Sequence, residues 1–229
     1  MSLLKSLRPN NSLPGLLLAG LAFTFAAAAT ASTPVALPDP KVDLPRAAAG
    51  QEQVAVFAGG CFWGVEAVFE HVKGVKRVVS GYAGGKAGSA NYSAVSDGNS
   101  GHAESVKVSF DPALISYGQL LKVYFSVAHD PTQLNRQGPD EGTQYRSEIF
   151  YGNEDQKRVA IAYIAQLQTA KSFPAPIVTV VAPLRGFYAA EAYHQDFARL
   201  HPNHPYIVYH DLPKVANLKR QFPALYTGN

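Results

Sequence analysis

The sequence is poor in cysteine. Its 229 residues hold one, Cys61, so no internal disulfide can form. The same scarcity weakens a metal reading. His194, His201, His204 and His210 cluster near the C-terminus, but their spacings match no standard zinc pattern and no cysteine joins them, so no metal is expected. An excess of one charge is also lacking. The formal net charge is +3, and Lys5 and Arg8 supply two of those charges. Without residues 1–31 the balance is +1, which argues against nucleic acid or an acidic membrane surface as partner. Internal repeats are missing, and no metal, flavin or nucleotide motif appears.

One long apolar run is present, Leu13 to Ala29, and it follows a positive start free of acidic residues. Ala29-Thr30-Ala31 then offers a small-x-small cleavage site, which predicts a secretory leader over residues 1–31. The run is short for a membrane span and no basic flank follows, so no stable membrane insertion is expected after cleavage. No cysteine stands directly after the cleavage site to carry a lipid, and no twin-arginine pair precedes it. The expected location is periplasmic or otherwise exported. Pro34, Pro38, Pro40 and Pro45 mark residues 32–50 as an extended, disordered linker, which leaves 51–229 as the folded domain. An unpaired thiol in an oxidising compartment is a liability unless it is used.

What is there centres on Gly59-Gly60-Cys61-Phe62-Trp63-Gly64. Val54 to Phe57 reads as a buried strand, and Phe62, Val65, Phe69 and Val72 recur at helical spacing. Cys61 therefore stands where a strand turns into a helix. The glycines allow a tight turn, and the helix start favours a thiolate. A lone cysteine in apolar surroundings is more often a small buried hydrophobe. The exposing turn and the helix start favour the nucleophile here.

Further on, Lys76 to Ala83 reads as a strand. In Ala103 to Phe110, Glu104 shares the apolar face with Val106, Val108 and Phe110. A carboxylate on a buried face is costly unless paired or protonated. Ser116 and Gln119 form a capping-box pattern for a helix that His129-Asp130-Pro131 stops. Residues 130–144 read as a long loop, and Gln144 to Tyr151 as a strand with Tyr145 in its pattern. A helix from Asn153 to about Ala170 is predicted to bury Ile161, Ile164 and Leu167. Ile177 to Val181 reads as a strand, Tyr188 to Leu200 as a helix, and Lys214 to Phe222 as a short helical piece. This order predicts an α+β fold, a mixed or antiparallel sheet with helices packed on it and long irregular loops.

Gly60-Cys61-Phe62-Trp63-Gly64 resembles the signature of the class A peptide methionine sulfoxide reductases. Gly81-Tyr82-Ala83-Gly84-Gly85, Gly101-His102-Ala103-Glu104, His129-Asp130-Pro131-Thr132-Gln133, Gly142-Thr143-Gln144-Tyr145-Arg146-Ser147 and Glu191-Ala192-Tyr193-His194-Gln195 follow in the family's order. The resemblance spans about residues 51–215 and implies a plait-like, ferredoxin-like two-layer sandwich. It implies Cys61 as nucleophile and Glu104 as general acid. Phe62 and Trp63 would form an apolar pocket for the substrate's S-methyl group, and Tyr92, Asp140 and Tyr145 would surround the sulfoxide oxygen. Glu66 and His194 read as supporting residues. A proline usual two residues before the tyrosine is Ala90 here.

The implied reaction reduces the S epimer of methionine sulfoxide, free or in oxidised proteins and peptides. Cys61 would become a sulfenic acid. Many relatives then use further cysteines near the C-terminus. This chain has none, so an external thiol is required, either a thioredoxin-like protein or a small thiol such as dithiothreitol. No bound cofactor is expected. Two other classes compete: another cysteine-dependent enzyme, such as a thiol peroxidase or hydrolase, and a non-catalytic binder of oxidised methionine. Neither needs both the aromatic pair and the nucleophile.

Overall fold

The predicted strand-turn-helix around Cys61 forms in the computed structural model, which describes residues 37–46 and 50–228. The leader lies outside the described residues. Strand β1 (Gln53–Gly59) runs into the glycine pair, and helix α1 (Phe62–Glu70) starts directly after Cys61. Gly60 has a φ of +91°, and a Cβ on it would sit 2.5 Å from the Gln137 side chain. Both backbone angle and space therefore require glycine.

The chain continues through β2 (Val75–Ala83), α2 (Tyr92–Ser96) and β3 (Ala103–Phe110). Helix α3 (Tyr117–Val123) begins with the Ser116–Gln119 capping box and ends in a π-type turn, Tyr124–Ala128. A small hairpin of β4 (Arg136–Gln137) and β5 (Asp140–Glu141) follows, then β6 (Ser147–Tyr151) and α4 (Glu154–Thr169). The last elements are β7 (Val180–Pro183), β8 (Phe187–Ala189), α5 (Phe197–Leu200) and α6 (Leu212–Gln221).

The main sheet has the order β7-β6-β1-β3-β2-β8, parallel between β6 and β7 and antiparallel elsewhere. Its centre, β6-β1-β3-β2, has the strand order of a ferredoxin-like plait. The expected α+β architecture is what the chain adopts. Phe57, Val106, Val108 and Phe110 bury one sheet face against Phe69 of α1 and Tyr117, Leu120 and Tyr163 of α3 and α4. Phe57 stacks on Phe69 at 5.3 Å and on Tyr124 at 5.0 Å. Each such side chain contributes roughly 1.5–3 kcal/mol when fully buried. A smaller cluster of Val56, Ala58, Ala83, Ala103 and Phe150 covers part of the other face, so β1 and β3 are buried on both sides.

Several expectations need correction. Residues 188–200 do not form one helix. Their first part pairs with β2, with Tyr82 opposite Tyr188, and Asp196 at φ +55° interrupts the rest. Backbone pairing along a free sheet edge outweighs the helical spacing of the side chains there. Tyr145 lies in a 3-10 turn, Thr143–Tyr145, before β6 begins. The strand predicted at Ile177 starts at Val180. Helix α4 buries Val159, Ala160, Tyr163 and Leu167, while Ile161 is half exposed.

The proline-rich linker is also not free where it is described. Residues 37–46 lie extended across α3 and α4. Leu37 enters the main core, and Pro38 O accepts from the Tyr163 hydroxyl at 2.9 Å. Asp43 accepts from the Gly118 N–H at 2.8 Å and from the Ser116 hydroxyl. An anion at the start of α3 meets N–H groups that lack helical partners. Among the described residues, no helix is long and apolar enough to cross a membrane.

Candidate active site

Cys61 occupies the N-cap position of α1, and its side chain is 8% exposed. Burial pushes its thiol well above the ordinary value, and the carboxylates of Glu104 and Asp211 push the same way. The Trp63 backbone N–H and the Lys214 ammonium pull it down but do not prevail. The expected resting thiolate is therefore corrected. Desolvation outweighs the helix start, and the resting group is a thiol.

Glu104 stands beside it at the start of β3. Its carboxyl accepts the Phe62 N–H at 3.0 Å, and the Cys61 side chain acts on it from beside that contact. Burial raises its pKa to about 8, and Asp140 adds to the rise. The alternative of a buried carboxylate neutralised by a basic partner does not hold here: a backbone N–H holds the group, and among the described residues no Lys or Arg contributes to its pKa. Near neutral pH it carries its proton, within reach of the sulfur.

The loops bring the remaining polar groups to the same place. Tyr145 lies in the field of Glu104, Asp140, Cys61 and Tyr92, and burial followed by these groups raises its pKa. Its hydroxyl therefore remains a donor. Asp140, on β5, accepts from the Tyr206 hydroxyl. Tyr92 opens α2 behind an Asn91 cap, whose side chain accepts the Ala94 N–H. Glu191 holds Tyr92 by accepting its N–H at 2.9 Å, while also accepting the Tyr82 hydroxyl at 2.9 Å.

The aromatic pair divides in two. Phe62 is buried, 5.1 Å from the His194 ring and 5.9 Å from Tyr82. Trp63 is half-buried, stacked on Phe197 at 3.8 Å and met edge-on by Tyr206 at 5.9 Å. Its indole N–H donates to His194 Nδ1 at 3.3 Å. His194 also lies 4.5 Å from the Tyr92 ring, and burial lowers its pKa. It is thus a neutral ring that locks Phe62, Trp63 and Tyr92 together. The other C-terminal histidines pack as rings: His201 lies 4.3 Å from Phe197 and His204 lies 6.3 Å from Trp63. Among the described residues, no three His, Cys, Asp or Glu side chains are grouped to hold a metal ion.

Glu66 is on the same helix but serves another purpose. Its carboxyl accepts the Asp196 N–H at 3.0 Å and ties the C-terminal segment to α1. Burial raises Glu66 to about 7, and burial with Asp196 and Glu66 raises Glu70 to about 8. Both folded values lie above the ordinary 4.5, so the stability these groups contribute is complete below that pH. It is lost as pH rises through about 7 and 8. Thermal melts should therefore show Tm falling over that window, and Glu66→Gln should flatten the slope. An equally steep fall in the variant would exclude Glu66 as a source.

The sequence profile of the family described as peptide methionine sulfoxide reductase matches residues 53–225, the whole span that builds this site. The chain belongs to the peptide methionine sulfoxide reductase family. Its activity is the reduction of methionine sulfoxide, a repair of oxidised proteins. A peptide methionine sulfoxide reductase of Mesorhizobium japonicum is 63% identical over 80% of this chain and 93% of its own length. One from Synechocystis is 54% identical over 81% of this chain and 88% of its own. Among solved structures, the reduced form of Mxr1 from Saccharomyces cerevisiae has a TM-score of 0.60 at 32% identity, covering 67% of this chain and 88% of that one. Methionine sulfoxide reductase A of Corynebacterium diphtheriae has 0.57 at 30%, covering 73% and 87%.

Sequence reasoning misses several residues that complete the reductase site. Tyr206, Asp211 and Lys214 reach it from a tail that has no distinguishing pattern. Glu191 sits inside the quoted tail motif, but its bridge between Tyr82 and Tyr92 depends on residues 109 and 99 positions away.

Proposed function

We propose that the reductase acts on the S epimer of methionine sulfoxide through a Cys61 sulfenic acid that an external thiol recycles. The observation that carries this is Cys61 at the start of α1 beside a buried Glu104, which is held by the Phe62 N–H and whose pKa burial raises to about 8, next to the Phe62–Trp63 pair. The substrate's methyl group sits against the aromatics, where sulfur–aromatic contact is favourable. Its oxygen accepts hydrogen bonds from Glu104, Tyr145 and Tyr92. The S epimer is the one the family resemblance implies.

The Cys61 sulfur attacks the sulfoxide sulfur as Glu104 passes a proton to the oxygen. The oxygen is transferred to Cys61, methionine leaves, and the sulfoxide is reduced by two electrons while the cysteine is oxidised by two. A first thiol condenses with the sulfenic acid and releases water, and a second resolves the mixed disulfide. A thioredoxin-like protein or a small thiol fits both roles. Residues 1–31 direct the chain to the periplasm or another exported location, where that thiol must be supplied.

The test is a single turnover without reductant. One methionine should appear per chain, and the protein should gain one oxygen in mass and react with dimedone. An added thiol should restore the free cysteine. Two methionines per chain with an unmodified Cys61 would overturn the scheme. Peroxide consumption or ester hydrolysis in place of methionine release would favour another cysteine enzyme.

A further inference from the structure

We propose that the Asp211–Lys214 pair, docked on the first turn of α1 with Asp211 buried and Lys214 partly exposed, governs how readily Cys61 gives up its proton, Lys214 favouring the thiolate and Asp211 restraining it. The inference rests on the reading of Cys61 as nucleophile. A π-type turn, Ile207–Asp211, leads directly into α6, and both pack against α1. Asp211 is fully buried, and its Oδ1 lies 3.2 Å from Lys214 Nζ. Its other oxygen has no hydrogen-bond partner.

The close approach depends on Gly64. A Cβ there would lie 2.0 Å from Asp211 Oδ1 and 2.6 Å from Lys214 Nζ. Gly64 is in the helical turn that Cys61 caps, so an ion pair is pressed against the backbone that presents the sulfur. Burying the Asp211 carboxylate costs free energy, which the ion pair with Lys214 offsets only in part. The pair's place under the nucleophile supplies the reason for it.

The groups around the sulfur define what the pair does. Glu104 approaches from β3, Asp140 from β5 and Tyr145 from its 3-10 turn. Tyr206 and Asp211 approach from the C-terminal segment. His210 and Asp140 also face Asp211. Among the charged groups acting on the Cys61 thiol, Lys214 is the cation, and its field also opposes protonation of buried His129. Once Glu104 has given its proton away, two carboxylates face the sulfur. Lys214 then offsets one of them. Both members of the pair are positioning residues: they act on Cys61 and touch no substrate.

The test reads Cys61 without any sulfoxide: alkylation by iodoacetamide from about pH 5 to 10 on the mature, reduced chain. Lys214→Met should move the thiolate titration upward and slow alkylation near neutral pH about tenfold. Lys214→Arg should stay near wild type. Asp211→Asn should move the titration downward and speed alkylation about tenfold. The double variant Asp211→Asn/Lys214→Met should return close to wild type. The opposite signs are decisive, because damage to packing would shift both single variants the same way. Two shifts of the same sign, or none, would overturn the proposal. Failure of the wild-type chain to release methionine would sink the functional reading and leave this titration result standing.

Discussion

Cys61→Ser should take sulfoxide reduction below detection while leaving the fold intact. A hydroxyl is a far weaker nucleophile than a thiol, and its pKa lies beyond any help from Lys214. Removing a nucleophile from a working site costs more than about ten-thousandfold, a barrier increase on the order of 5.5 kcal/mol. The exchange is nearly isosteric. The Cys61 side chain lies at the edge of the main core beside Glu104, which can accept a bond from the serine hydroxyl. Thermal unfolding should therefore stay within a few degrees of the wild type. Methionine release from an oxidised peptide measures the effect. Turnover by the serine variant at a wild-type rate would show that Cys61 is a binding residue only.

Glu104→Gln should lower the chemical step by about a hundredfold to ten-thousandfold, with a small change in substrate binding. The amide still donates to the sulfoxide oxygen but has no proton to transfer. The wild-type pH profile should carry the mark of this group. The protonated form is the working acid, so activity is present below its pKa of about 8 and falls as pH rises through it. In the glutamine variant that limb should disappear. Glu66→Gln is the control, since the Glu66 carboxyl accepts the Asp196 N–H and ties down the C-terminal segment. A crippled Glu66 variant beside an active Glu104 variant would reverse the assignment.

Much of the fold was legible because local patterns carried it. The alternation in Ala103 to Phe110 placed β3 to the residue, and it put Glu104 on the apolar side. The Ser116–Gln119 spacing marked the start of α3 because both halves of a capping box lie within one turn. Residues 188–200 misled for the converse reason. Their apolar spacing suits a helix, but a free edge on β2 offered backbone partners that no local pattern announces. The proline-rich segment misled similarly: four prolines favour extension, and extension is what let residues 37–46 lie along α3 and α4.

The sequence by itself pointed to Cys61 and Glu104 as the candidate nucleophile and acid and left the chain without a second cysteine. Each follows from a covalent fact or a short-range period: one cysteine in the whole chain, glycines before a helix start, a carboxylate in an apolar alternation. Only the tertiary structure decided the state of that nucleophile. Desolvation of Cys61 comes from everything packed around it, and the charges that act on it come from Glu104, 43 positions on, and from Asp211 and Lys214, about 150 positions on. Burial and long-range electrostatics sum over neighbours in space, so they made a resting thiol of a residue whose local setting favours a thiolate.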